Sequence, residues 1–143
     1  MATKTKPQVV IDTNVWISGL VFGGNPEKII RLFIEGQIIV VCAEELLSEL
    51  RRKITQRFPL FLPNLGLLEA SIREDALFVS LGTVQITASR DIKDNIFIET
   101  ALTGQASFIV SGDRDLTDIV PFQSINILIP KEFLELFKKY QSE

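Results

Sequence analysis

The chain of 143 residues has no histidine and a single cysteine, Cys42. Without an imidazole there is no Ser-His-Asp or Cys-His triad, no histidine general base and no zinc site of the Cys/His type. One thiol supplies neither an internal disulfide nor a thiolate cluster. Long hydrophobic runs are missing too: the longest, residues 38–43, falls far short of the roughly 18 to 20 residues needed to span a bilayer. The first eight residues are polar, carry Lys4 and Lys6, and lack the apolar stretch of a signal peptide. These absences predict a cytoplasmic protein with no membrane partner, and a lone Cys in a hydrophobic segment fits a reducing compartment. An enzyme of this composition working near neutral pH must use carboxylates, a metal ion they hold, lysine or a bare hydroxyl.

What is present is an apolar, slightly acidic chain, 46% hydrophobic with a net charge of −3. At this length roughly 70% of the unfolded surface can be buried, so no staple is needed to make a core. A mean hydropathy of +0.25 is high for a small soluble monomer. Together with the apolar segment 58–63, which holds two prolines, it predicts a homodimer or higher homo-oligomer. That segment cannot continue a helix; it either caps the core or forms an exposed apolar patch. There is no internal repeat, low-complexity tract or linker, so the expected organisation is a flexible N-terminus over 1–7 and a single domain over 8–143.

Short unbroken apolar runs at 9–11, 38–42, 108–110 and 125–129 have the character of strands buried on both faces. Between them lie helix-period segments at about 26–35, 43–56, 65–78, 92–103 and 131–140, and a further short strand is expected within 79–87. In the second of these, Ala43, Leu46, Leu47, Leu50 and Ile54 mark one helix face. The turn Gly23-Gly24-Asn25-Pro26 opens a helix, and Gly104 stands where another should stop. Strands alternating with helices predict an α/β fold: a three-layer α/β/α sandwich around a central, mostly parallel sheet.

In such sheets ligands bind beyond the carboxyl ends of the strands, where strand order reverses. The first strand ends in Asp12, followed by Thr13-Asn14, and the strand at 108–110 runs into Ser111-Gly112-Asp113. A helix leading into that second strand runs antiparallel to it and so starts at the carboxyl edge, where Asp91, Asp94 and Asn95 lie. Asp12, Asp94 and Asp113 can therefore converge. Convergent carboxylates repel unless a cation sits among them. An all-oxygen set selects Mg²⁺ or Mn²⁺, which can acidify water and stabilise charge on a phosphate. Singly, each acid also has a plain structural reading: an Asx turn or N-cap at Asp12, a capping box at Asp91 and Asp94, a strand-ending turn at Asp113.

Val10-Ile11-Asp12-Thr13-Asn14-Val15, Ser48-Glu49-Leu50, Asp91-x-x-Asp94-Asn95 with Ala101, and Ile109-Val110-Ser111-Gly112-Asp113-Arg114-Asp115-Leu116 together resemble the PIN-domain nucleases. The likeness in order, spacing and length is greatest to the small PIN proteins that serve as toxins of bacterial toxin–antitoxin systems. The resemblance implies a metal-dependent endoribonuclease that cleaves single-stranded RNA, with a metal-activated water as nucleophile. It implies Asp12, Glu49, Asp94 and Asp113 as catalytic and metal-holding acids, Asp115 as a supporting acid, and Asn14 and Ser18 as polar residues of the first helix. Asp91, Asn95 and Ser111 are the flanking polar residues of those motifs. An antitoxin protein covering the acidic edge is the partner it implies. A PIN fold that binds RNA or protein without cutting is the alternative. Glu49 rests on the resemblance alone, because on the helical wheel Glu44 and Glu49 lie comparably far round on opposite flanks of the apolar face.

Other features have two readings. Arg51, Arg52, Lys53 and Arg57 form either a solvated helix face or a rail for the RNA backbone, with Arg51 and Arg52 the candidate RNA contacts. Arg114, between two acids, is suited to touch a phosphate or orient a carboxylate. Trp16 is read as a core or interface residue before a base-stacking one. Gly23-Gly24 lacks the Gly-Lys-Ser/Thr of a P-loop, which excludes nucleotide hydrolysis by that route. Asn14 replaces the second acid of a haloacid-dehalogenase-like phosphatase, and the acids and lysine of a receiver domain do not line up.

Overall fold

The computed structural model describes residues 6–82, 92–112 and 125–141, with the side chains of 92–95 left aside. Five short strands, β1 (Gln8–Ile11), β2 (Ile39–Cys42), β3 (Leu77–Phe78), β4 (Phe108–Val110) and β5 (Asn126–Leu128), make one sheet. Its order is β3-β2-β1-β4-β5, and every pairing is parallel. The apolar runs are the strands because both faces are covered: Val9, Val10, Val40, Val41, Ile109 and Val110 are almost inaccessible to solvent. Ordered pairing already includes Pro7, whose carbonyl accepts from Ile39 N at 2.9 Å; residues 1–5 lie outside the described part.

Among the described residues six helices connect or flank the strands: α1 (Thr13–Val21), α2 (Gly24–Ile34), α3 (Glu44–Arg57), α4 (Leu62–Asp75), α5 (Ile92–Thr103) and α6 (Pro130–Gln141). Right-handed crossovers carry the chain from β1 through β2 to β3 with α1 to α4 on one face. From β3 the chain returns past β1 to β4, which by the same rule puts α5 on the opposite face, where it packs on β1, β2 and β4. The expected three-layer α/β sandwich is therefore the observed one. Among the described residues no helix is long and apolar enough to cross a membrane.

The periodic segments became helices through their buried stripes. α3 buries Leu46, Leu47, Leu50 and Ile54, each contributing about 1.5–3 kcal/mol relative to exposure. α1 gives no period-3.6 signal because it is enclosed nearly all round, with Thr13, Val15, Trp16, Ile17 and Gly19 buried. Trp16 meets Phe33 of α2 edge-on at 5.8 Å between ring centroids, so it is a core residue and not a base-stacking one.

Two expectations are corrected. The helix read over 65–78 stops at Asp75, and its last two residues are β3, paired with Val41 and Cys42. A two-residue edge strand continues the apolar spacing of the preceding helix, so periodicity cannot separate them. The strand expected within 79–87 is not seen at 79–82, and residues 83–87 lie outside the described part. Residues 59–61 form a single 3-10 turn and Pro63 opens α4, where its missing N–H costs nothing. Both readings of 58–63 hold: Phe58, Phe61 and Leu62 pack on the core, while Leu60 is 89% exposed.

Candidate active site

The strand order reverses between β1 and β4, and Asp12 sits there. The register Ile11↔Val110 brings the next residues, Asp12 and Ser111, side by side across the switch point. Asp12 N donates to Val110 O at 2.9 Å, extending the ladder by one bond. The Asp12 side chain is 3% accessible and Ser111 is fully buried. Oδ1 accepts the Asn14 backbone N–H at 3.0 Å, and Oδ2 accepts the Ser111 hydroxyl at 2.6 Å. Asp12 is thus the N-cap of α1, as the plain reading had it. That role does not exhaust it: a carboxylate oxygen has two lone pairs, and the positive end of α1 favours the ionised form.

Asn14 links this acid to α3. Its exposed side chain turns to Lys53, whose Nζ donates to Asn14 Oδ1 at 3.2 Å. The same Nζ lies 3.2 Å from Glu49 Oε1, and the Lys53 and Glu49 side chains are each only 13% exposed. The path Ser111–Asp12–Asn14–Lys53–Glu49 therefore joins β4, β1, α1 and α3 at one edge.

The choice between Glu44 and Glu49 follows from packing. Glu44 points the other way, to Arg73 of α4, with Nη1–Oε1 at 2.6 Å and Nη2–Oε2 at 3.1 Å. The guanidinium holds the Glu44 carboxyl below its usual range, and the carboxylate in turn raises Arg73. Glu49 pairs instead with Lys53, which in turn reaches Asn14 of α1. Arg51 pairs with Glu69 of α4 and Arg52 reaches Gln56 on its own helix. The basic run after Glu49 is therefore not one continuous face: Lys53 alone of those three turns to the acidic edge. A Glu followed four residues later by Lys was the available signal for it.

Ser18 lies one turn beyond Asn14 on α1, on the same side of the helix by spacing. Asp94 and Asn95 belong to the first turn of α5. That helix runs toward the amino edge, where Ser107 N bonds Gln8 O at 3.0 Å, so its start lies at the carboxyl edge with Asp12. Asp91, Asp113, Arg114 and Asp115 lie outside the described residues. Glu99 accepts from Gly82 N. Cys42 is buried, and burial pushes its thiol up to about 11, which leaves no thiolate nucleophile here.

Among the described residues no three His, Cys, Asp or Glu side chains gather closely enough to cage a metal. The described part of the edge nevertheless suits one. Its donors are oxygens of Asp12, Asn14, Ser111 and Glu49, the hard set that Mg²⁺ and Mn²⁺ take. A positive charge is already accommodated there, since the Lys53 ammonium sits between Glu49 and Asn14 as an ion would.

Comparison with known proteins agrees with this geometry. Residues 8–115 match the PIN domain family. The chain is 32% identical to the uncharacterized protein MJ1680 of Methanocaldococcus jannaschii, over 97% of each chain. PIN domains are typically nucleases and generally metal-dependent. With an all-parallel sheet, a buried aspartate at its switch point and a match over most of its length, this chain belongs to the PIN domain family.

Proposed function

We propose that the protein is a metal-dependent endoribonuclease acting on single-stranded RNA. The observation that carries the reading is the juxtaposition at the switch point. A buried Asp12 accepts from the Ser111 hydroxyl and the Asn14 N–H, and the Asn14 side chain together with Glu49 holds the Lys53 ammonium. Asp12 and Glu49, with Asp94 at the start of α5 and the Asp113 read from the sequence, would hold Mg²⁺ or Mn²⁺. When bound, such an ion acidifies water and stabilises the charge that builds on a phosphodiester under attack.

The protein's own part is orientation. Ser111 and the Asn14 N–H fix both Asp12 oxygens, so the carboxylate meets a ligand with its rotamer already set. The surrounding Val10, Ile11 and Val110 keep water from the acid's inner side. Asn14 and Ser18, one turn apart on α1, face the substrate side, and Arg114 is suited to a phosphate oxygen. The toxin role is supported by the size and motif order shared with small toxin PIN proteins. An antitoxin segment covering this edge is the expected inhibitor.

The test uses single-stranded RNA with Mn²⁺ or Mg²⁺ and with EDTA. Cleavage should stop on chelation and fall by about a hundredfold or more in Asp12→Asn and Asp113→Asn, a loss on the order of 3 kcal/mol in the barrier. Cleavage that survives either substitution, or ignores EDTA, overturns the mechanism. If neither cleavage nor a Mn²⁺-induced rise in melting temperature is seen, the chain is a binding module instead.

A further inference from the structure

The Lys53–Glu49 contact differs from an ordinary i,i+4 pair. Arg31 and Glu27 also stand four apart, but their side chains are 71% and 46% exposed, and a pair so wetted contributes little. Lys53 and Glu49 are each 13% exposed, and Lys53 has a second acceptor on another helix, Asn14 Oδ1 at 3.2 Å. Lysine is almost never this enclosed unless paired. Its position is specific as well: Asn14, the residue it holds through the side chain, is the one whose backbone N–H donates to the capping carboxylate of Asp12.

We propose that Lys53 is the resident counter-ion of the acidic edge: its ammonium neutralises Glu49 and engages Asn14, and a divalent ion must displace it to gain Glu49. The inference rests on the metal-dependent reading above and deepens it. Two cations cannot share the same carboxylate face at contact distance without repelling one another. Lys53 therefore sets how much divalent ion is needed to load the centre. It also keeps the metal-free protein folded, because Glu49 left alone would be a largely enclosed, unpaired carboxylate. Lys53 is thus a positioning residue with two separable effects, one on metal affinity and one on metal-free stability.

Calorimetric titration with Mn²⁺ in the absence of RNA tests this, with melting curves in EDTA beside it. Lys53→Met should bind Mn²⁺ about tenfold more tightly than the wild type and melt at a lower temperature in EDTA. The gain should vanish in the Lys53→Met/Glu49→Gln double variant. Lys53→Arg works in the opposite direction and needs no loss of charge: a guanidinium grips a carboxylate more firmly than an ammonium does. Its Mn²⁺ affinity should drop several-fold, which keeps the test intact if Lys53→Met fails to fold. If Asp12→Asn weakens Mn²⁺ binding but neither Lys53 variant changes it, this inference is wrong while the metal-dependent reading stands. If the wild type binds no Mn²⁺ at millimolar concentration, both fall together.

Discussion

The Ser111 hydroxyl donates a 2.6 Å hydrogen bond to Oδ2 of Asp12, joining residues 99 positions apart. The bond exists because β1 and β4 are neighbours in the sheet although α1 to α5 and two strands separate them in the chain. A carboxylate at 3% exposure needs donors to remain ionised, and a serine at the end of the adjacent strand supplies one without adding charge.

Ser111→Ala should therefore destabilise the metal-free protein by about 1.5–3 kcal/mol, the usual worth of a hydrogen bond to a charged group. Urea unfolding measures it, with the slope unchanged if the effect is confined to this bond. A loss below about 0.5 kcal/mol would mean that the bond contributes only geometry.

The fold was legible because its signals are local and repeated. Apolar runs at 9–11 and 108–110 need only both-face burial to be strands, and the helix at 92–103 has the observed limits. Asp12 was legible from its place after a first strand. The pairing of Lys53 with Glu49 had a signal in its i,i+4 spacing, but the reach of Lys53 to Asn14 did not, because Asn14 is 39 residues away and arrives only when α1 packs on α3. Glu49 needed the resemblance for the same reason. A helical wheel shows two flanks, and the position of α4, which takes Glu44 through Arg73, leaves Glu49 as the flank that pairs with Lys53. Asp113, Arg114 and Asp115 fall outside the described residues, so their place in the site remains a reading of the sequence.

Cys42 gives a chemical check on the core. Burial raises its thiol to about 11, so at pH 8 almost none is thiolate, and the sulfur is enclosed besides. Native protein should resist a thiol reagent such as iodoacetamide and react fully once unfolded in guanidinium. Rapid labelling of native protein at pH 8 would show that β2 and α3 open more readily than their packing suggests.

The pairing of Glu44 with Arg73 predicts a direction of pH dependence. Glu44 is lowered by its guanidinium partner, so the folded state binds fewer protons than the unfolded state around and just below the ordinary value of 4.5. Its contribution is fully present above that value and is lost as pH falls through the folded pKa. Glu44→Gln should thus cost stability at neutral pH and converge with the wild type in acid. Both groups are exposed, so the difference should shrink in high salt; a gap that persists at low pH would point to another cause.

Two glycines should respond to alanine with opposite signs. Gly104 follows α5, and the expected reason for it was a helix C-cap. The left-handed residue is instead its neighbour Gln105, at φ 58°. Gly104 is required because a Cβ there would run into the Val41 side chain on β2. Val41 is buried in a central strand and cannot move aside, so Gly104→Ala should cost about 1–3 kcal/mol through overpacking. Gly66 lies in the exposed part of α4 with nothing within 4 Å of the added atom. Gly66→Ala should stabilise the protein by about 0.5–1 kcal/mol, since only the flexibility of the unfolded chain is lost. Thermal melts of the two variants decide the matter together: a shift upward for position 66 and downward for position 104. Equal shifts would mean that α5 does not approach β2 as closely as the packing at Val41 requires.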